Sequence, residues 1–264
     1  MGRGRRERLL LAGVVAGVCL MGAVCLVAGC AAPADAWERV QQSGVLRVGM
    51  DASFLPFEFV DEEGSLVGFD VDLAREIAAR LGVEAVFVAN LPYDGLYDAL
   101  TAGQVDVVIS ALYLDPEREG AFAYSTPYFN AGQVLVVAEG TEGIVAVDDL
   151  AGRTVAVEFG SAGDVEARQL SGVTVLPCET AADALAQVAA GRADVALVDH
   201  LSALTGGAGA GGGLRIVGPP VTDEPYAAAV RRESRGLLRA INEALAQMAA
   251  DGTLDCLERE WFSP

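Results

Sequence analysis

Ala102-Gly103-Gln104-Val105-Asp106-Val107 and, in the second half of the chain, Ala190-Gly191-Arg192-Ala193-Asp194-Val195 repeat one pattern: alanine, glycine, polar, apolar, aspartate, valine. In both places an apolar helical stretch precedes the glycine and an apolar strand follows the aspartate. Glycine just past the last periodic residue is a helix stop, because it accepts a left-handed backbone without steric cost. The same helix–glycine–strand unit is therefore used once in each half. The strands end at Ser110 and Asp199. In open α/β sheets, ligands lie beyond the carboxyl ends of strands, so two such sheets facing each other would present Ser110 and Asp199 to one cleft.

Working outward, the periodicity predicts a strand over 45–50 and a helix over 70–81. Val71, Ala74, Ile77, Ala78 and Leu81 share one face of that helix, and Gly82 stops it. Strands follow over 83–88 and 105–110, with a short helix over 96–102 between them. The second half reads as strands over 133–138, 154–158, 173–176 and 195–198, with helices over 162–170 and 181–190. A helix over 234–250, capped by Ser234 and stopped by Gly252, precedes a last helix over 254–262. The alternation is βαβ rhythm and implies mostly parallel sheets. The stretch 206–213 is almost all glycine and alanine and reads as a loop.

The 264 residues suffice for two lobes with real cores; at 52% hydrophobic and 21% charged the composition is globular. The formal net charge is −19. Arg3, Arg5, Arg6 and Arg8 lie in the first eight residues, so the remaining body is more acidic still. Such a body repels phosphates and anionic lipid, and a nucleic-acid partner is not expected. That basic start leads into an unbroken apolar run over 9–29 and then Val27-Ala28-Gly29-Cys30. A basic segment, an apolar segment and small residues at the cut form an export signal. Small residues just before a cysteine resemble a bacterial lipobox, which makes Cys30 the lipidated new N-terminus. An uncleaved anchor is the alternative, since the run is long enough to span a bilayer. Cys178 and Cys256 remain in the body; they read as separate thiols, since a bridge between them would lock two lobes together.

Gly68-Phe69-Asp70-Val71-Asp72-Leu73-Ala74 with Ile77-Ala78 matches the signature of the family 3 solute-binding proteins, the polar amino-acid receptors of ABC transporters. Around it stand Val48-Gly49-Met50-Asp51, Pro56-Phe57-Glu58-Phe59, Asp115-Pro116-Glu117-Arg118 and Ser125-Thr126-Pro127-Tyr128-Phe129, with Asp251-Gly252-Thr253 and Glu260-Trp261-Phe262 at the end. The resemblance runs from about residue 44 to 262. It implies a two-lobed type II periplasmic-binding-protein fold of class α/β, with two parallel-sheet lobes joined by two hinge strands. Residues 1–29 would be the signal peptide and 30–43 the lipidated cysteine and tether. Lobe 1 would be 44–129 plus 222–264, and lobe 2 would be 130–221.

The same resemblance implies contacts. Arg118 stands where the family grips the ligand α-carboxylate, a task suited to a planar guanidinium. Asp199 stands where it binds the α-ammonium. Ser110, with Ala111 and Leu112, offers hydroxyl and backbone groups. Gly160, Ser161 and Ala162 open a lobe 2 helix whose free N–H groups favour a carboxylate. Asp51, Phe54 and Tyr93 match a polar contact and two aromatic walls, and Glu158 ends a lobe 2 strand. Two positions depart from the pattern: Tyr113 replaces the usual Thr or Ser, and Ala162 replaces a frequent Thr. The expected pocket sets Asp51, Glu158 and Asp199 against Arg118, so an acidic ligand side chain would lack a cationic partner. The expected solute is thus a neutral or basic amino acid, with basic ahead. It would be delivered to an ABC permease by a monomer on the extracytoplasmic face of the membrane. No cofactor, metal or catalysis is expected, since His200 is the single histidine. Two rivals are a dehydratase like the cyclohexadienyl dehydratases that share the fold, and a sensor subunit that signals to a membrane partner.

Overall fold

The computed structural model describes residues 35–208 and 213–262; the export signal and Cys30 lie outside the described residues. Helix α1 (Ala36–Ser43) leads into strand β1 (Val45–Gly49), followed by three short strands, β2 (Ser53–Phe54), β3 (Glu58–Val60) and β4 (Leu66–Val67), that pair antiparallel. Helix α2 (Phe69–Leu81) is the amphipathic signature segment, and Gly82 closes it at φ 72°. Then come β5 (Glu84–Val88), α3 (Leu96–Thr101), β6 (Val107–Val108) and β7 (Phe122–Tyr124). The chain crosses out through β8 (Phe129–Asn130). It builds β9 (Gln133–Ala138), β10 (Thr154–Glu158), α4 (Ala162–Gln169), β11 (Thr174–Cys178), α5 (Ala181–Ala189), β12 (Val195–Asp199), α6 (His200–Thr205) and β13 (Leu214–Val217). It returns through β14 (Pro225–Tyr226) and ends in β15 (Ala229–Arg231), α7 (Arg235–Asp251) and α8 (Thr253–Phe262).

Two five-stranded sheets result, ordered β5-β1-β6-β15-β7 and β11-β10-β12-β9-β13. Each has a parallel part built as βαβ units: β1 with β5 and β6, and β10 with β11 and β12. The antiparallel members exceed what the rhythm of the sequence predicts. β9 and β15 arrive straight from the crossing strands, with no crossover helix to carry the chain back, and so run against their neighbours. The crossing strands pair with each other, Phe129 with Tyr226 and Asn130 with Pro225. Both faces of both sheets are covered. Helices α1, α2, α7 and α8 pack on one face of the first sheet and α3 on the other; α5 and α6 cover one face of the second sheet and α4 the other.

The repeated hexad now has a structural reason. Gly103 and Gly191 both sit at φ 68°, each ending its helix. Asp106 Oδ2 accepts the Arg47 N–H at 3.0 Å, and Asp194 Oδ2 accepts the Thr154 N–H at 2.8 Å. Each aspartate thus binds the neighbouring parallel strand near its start and pairs with an arginine there, Arg47 or Arg153.

The start of α7 corrects the expectation at Ser234. That hydroxyl is buried, makes no cap bond and has no partner. The Asp35 carboxylate caps the helix instead, taking the N–H of Gly236 at 2.5 Å and of Leu237 at 3.4 Å, while also capping its own helix at Trp37 at 3.0 Å. Gly236 is required by this approach, since a Cβ there would lie 2.6 Å from Asp35 Oδ2. Asp35 is 201 residues away in sequence, so no local reading finds it.

Candidate functional site

The carboxyl ends of β1 and β6 converge on a cavity of about 270 Å³, lined by Asp51, Ser53, Phe54, Glu58, Tyr93, Ser110, Ala111, Tyr113 and Tyr226. Asp51 follows β1. Its Oδ2 accepts the Tyr93 N–H at 3.0 Å and its Oδ1 accepts the Ser53 hydroxyl at 2.7 Å. Among the described residues it forms no ion pair. Phe54 stacks on Phe57 at 5.4 Å, and Tyr113 meets Tyr226 edge-on at 4.9 Å. Phe54, Tyr93 and Tyr113 are 43%, 44% and 46% exposed, a large apolar share for side chains beside a cavity. Burial raises the phenols of Tyr93 and Tyr226 above their ordinary range.

The floor is made by the turn after β6. Ser110 Oγ accepts the Asp51 N–H at 3.0 Å and donates to Glu58 Oε1 at 2.6 Å. Ala111 has φ 41°, the one non-glycine residue with positive φ among the described residues, and its N–H reaches Asp70 Oδ2 at 2.5 Å. Tyr128 donates to the same oxygen at 2.9 Å. Glu58 and Asp70 are almost wholly buried, at 1% and 0% exposure. Burial raises both carboxyls far above the usual range. Asp70's charge adds to the rise at Glu58, and the Ala111 and Tyr128 hydrogen bonds oppose the rise at Asp70.

The cavity brings together six of the expected site residues: Asp51, Phe54, Tyr93, Ser110, Ala111 and Tyr113. Leu112 is buried against α3 and contributes its carbonyl to the Ala227 N–H at 3.0 Å. Arg118 does not line the cavity: its Nε pairs with Asp115 at 3.0 Å, and its guanidinium lies 4.3 Å from the Tyr97 ring centre. Glu158, Gly160, Ser161, Ala162 and Asp199 belong to the second sheet's half and do not line it either. There Ser161 caps α4, and the Gly160 N–H goes to Asp164 at 3.0 Å. Gly163 packs so closely on β12 that a Cβ would lie 2.5 Å from the Leu197 carbonyl oxygen. Asp199 caps α6 through the Ser202 N–H at 2.8 Å. His200 follows it, with Nδ1 2.7 Å from the Asn130 carbonyl oxygen and its ring stacked on Phe129; burial lowers its pKa.

Glu58, Ser53 and Tyr226 are the lining residues that the sequence reading lacks. Glu58 entered the sequence reading only as part of the Pro56-Phe57-Glu58-Phe59 motif, and Tyr226 is brought in by the returning strand. A larger groove of about 800 Å³ lies between β7 and α7, lined in part by Phe122, Leu238, Arg235 and Arg239. It lies away from the carboxyl ends of the parallel strands, so the smaller cavity is the candidate site. Among the described residues no group of three His, Cys, Asp or Glu side chains could hold a metal ion, and no helix is long and apolar enough to cross a membrane.

The chain is similar to known proteins. The L-cystine-binding protein TcyJ of Escherichia coli strain K12 is 35% identical over 251 residues, 92% of this chain and 94% of that protein. A solved ancestral cationic amino acid solute-binding protein is 35% identical, with a TM-score of 0.59 over 86% of this chain and all of that one. A solved ancestral cyclohexadienyl dehydratase is 28% identical, with a TM-score of 0.76 over 87% of this chain and 97% of that one. The family model for bacterial extracellular solute-binding proteins, family 3, matches residues 46–264, and with the two-sheet architecture and the cavity at the strand ends this chain belongs to that family.

Proposed function

We propose that this protein is an extracytoplasmic receptor that binds one polar amino acid, neutral or basic, between its two halves and delivers it to the permease of an ABC importer. One observation carries the choice of solute: the Asp51 carboxylate stands in the cavity among Phe54, Tyr93, Tyr113 and Tyr226, with no cationic partner among the described residues. A carboxylate ringed by aromatic faces suits an ammonium or guanidinium group and opposes an acidic side chain. The names of the relatives fit a neutral or basic solute: cystine, with two ammonium and two carboxylate groups, is neutral overall, and cationic amino acids carry one more positive charge.

In this reading the half containing Asp51 is lobe 1 (44–129 plus 222–264), and residues 130–221 form lobe 2. Arg118 is half-exposed and, among the described residues, is held by Asp115 and the Tyr97 ring. A solute α-carboxylate can compete for its guanidinium in bidentate fashion. Lobe 2 then closes, adding Asp199 and Glu158 and the α4 start at Gly160, Ser161 and Ala162. Among the described residues no hydrogen bond takes up the Ala162 or Gly163 N–H groups, so that helix start retains donors for a carboxylate. The crossing strands β8 and β14 serve as the hinge. Cys30 carries the lipid anchor, the chain acts as a monomer, and it performs no catalysis.

Thermal unfolding of the full chain in mild detergent, against the standard amino acids, polyamines and cyclic carboxylates, tests this. A solute at a thousandfold its Kd adds about 4 kcal/mol of stability. A large upward shift with basic or neutral polar amino acids is expected. Glutamate as the tightest ligand would overturn the charge argument. A shift confined to cyclic carboxylates would favour a dehydratase instead, a second reading that rests on the 28% identical ancestral enzyme.

A further inference from the structure

Glu58 and Asp70 meet beneath the cavity floor with an imbalance of donors. Glu58 Oε1 takes the Ser110 hydroxyl, and Asp70 Oδ2 takes the Ala111 N–H and the Tyr128 hydroxyl. The other oxygen of each, Glu58 Oε2 and Asp70 Oδ1, is buried and has no partner. Among the described residues neither carboxyl joins an ion pair. Two buried carboxylates without a cation repel and leave two acceptors unsatisfied; one proton between them removes both penalties. We propose that Glu58 and Asp70 share a single proton between Oε2 and Oδ1, and that the pair, with net charge −1, acts as a positioning device for the solute site.

The groups that face the pair favour holding that proton. Asp51, after β1, adds a negative charge. Tyr128, before β8, Tyr226 of β14 and Tyr93, before α3, present neutral phenols. On α2 itself, Asp72 is engaged with Arg75 and the Trp261 indole. The consequence reaches the cavity through two contacts. Asp70 holds Ala111 in its left-handed conformation, which turns the chain after β6. Glu58 takes the Ser110 hydroxyl hydrogen, so Ser110 faces the solute as an acceptor only, which matches an ammonium ligand. Loss of the proton breaks the hydrogen bond between the two carboxyls and sets like charges against each other, which pushes Glu58 and Asp70 apart and displaces Ser110 and Ala111 with them. The inference rests on the reading of this cavity as the solute site, but its first test does not.

That test follows the thermal midpoint of the full chain, wild type and Glu58→Gln, without solute across pH. The folded pair holds a proton that the unfolded carboxyls have lost, so the pair's contribution to stability is fully present below the ordinary carboxyl range and is lost as pH rises. Glutamine keeps a donor and an acceptor and has no proton to lose. The midpoints should therefore diverge in favour of Glu58→Gln from about pH 5 to about pH 9. Parallel curves overturn the shared proton. So does the absence of a protonated-carboxyl infrared stretch from wild type at about pH 8, whichever variants fold. For positioning, the ratio of wild-type to Glu58→Gln solute affinity should fall about tenfold or more at alkaline pH. The solute's own amine titrates equally against both proteins and cancels. Glu58→Ala should bind at least tenfold more weakly than Glu58→Gln. A flat ratio, or equal affinities for the two variants, overturns the positioning role. If wild type binds no solute at all, the receptor reading and the positioning role fall together, while the midpoints still decide the proton.

Discussion

Residue types repeated for one purpose can carry very different energies. Asp106 and Asp194 occupy the same place in the repeated hexad and make the same strand-start bond. The Asp106 carboxylate is fully buried and also binds the guanidinium groups of Arg47 and Arg39, whereas Asp194 is 39% exposed beside Arg153. Removing a buried anion that two cations face leaves charge uncompensated; removing an exposed one leaves water to take its place. Asp106→Ala should cost about 2–3 kcal/mol, since it strands the Arg47 N–H and two guanidinium groups that water still reaches in part, and Asp194→Ala about 1 kcal/mol. Urea denaturation of the two variants checks this, and equal losses would refute it. Asp51 and Ser110 were legible because they end apolar runs, where strand ends place polar groups at a site. Glu58 was not, because two phenylalanines beside it describe burial equally well with or without a function.

At the scale of elements, helix starts show where local chemistry is sufficient. Ser161 and Thr180 cap α4 and α5 from the adjacent position through Asp164 N–H and Asp183 N–H. Ser234 has the same residue type in the same place and does not cap α7; Asp35 does. Asp35→Ala should therefore cost about 1 kcal/mol, up to about 2 because one carboxylate caps two helices. Ser234→Ala should be neutral or slightly stabilising, since it deletes a buried hydroxyl with no partner. A thermal melt of each variant decides between the two caps, and the reverse ranking would restore Ser234. The antiparallel strands β9 and β15 were likewise hidden, because strand direction depends on where the previous element ends in space.

For the whole molecule, the cavity as it stands uses only one half of the receptor. In the proposed mechanism Glu158, Gly160, Ser161, Ala162 and Asp199, in the other half, would reach a solute on closure of the halves, and a solute would shift that equilibrium by its differential affinity. Addition of a binding amino acid should reduce the radius of gyration measured by X-ray scattering. If Arg118 takes the solute carboxylate as proposed, Arg118→Ala should weaken binding by about 2–5 kcal/mol, because it would strand that carboxylate in the closed site. Titration calorimetry measures that loss. Near-wild-type affinity would remove Arg118 from the site, and an unchanged radius would remove closure from the mechanism.

The two-fold use of the helix–glycine–strand unit, the helix stops, the family and the strand ends that carry a site were all legible in the order of residues. Those follow from periodicity, from glycine's left-handed backbone and from motif order, all of which are local. It took the folded molecule to show that Asp35 caps a helix 201 residues away, that Tyr226 lines the cavity, and that Glu58 meets Asp70 beneath Ser110. Each of these joins groups far apart in the chain, and its energy depends on burial, which a residue acquires only once the rest of the fold surrounds it.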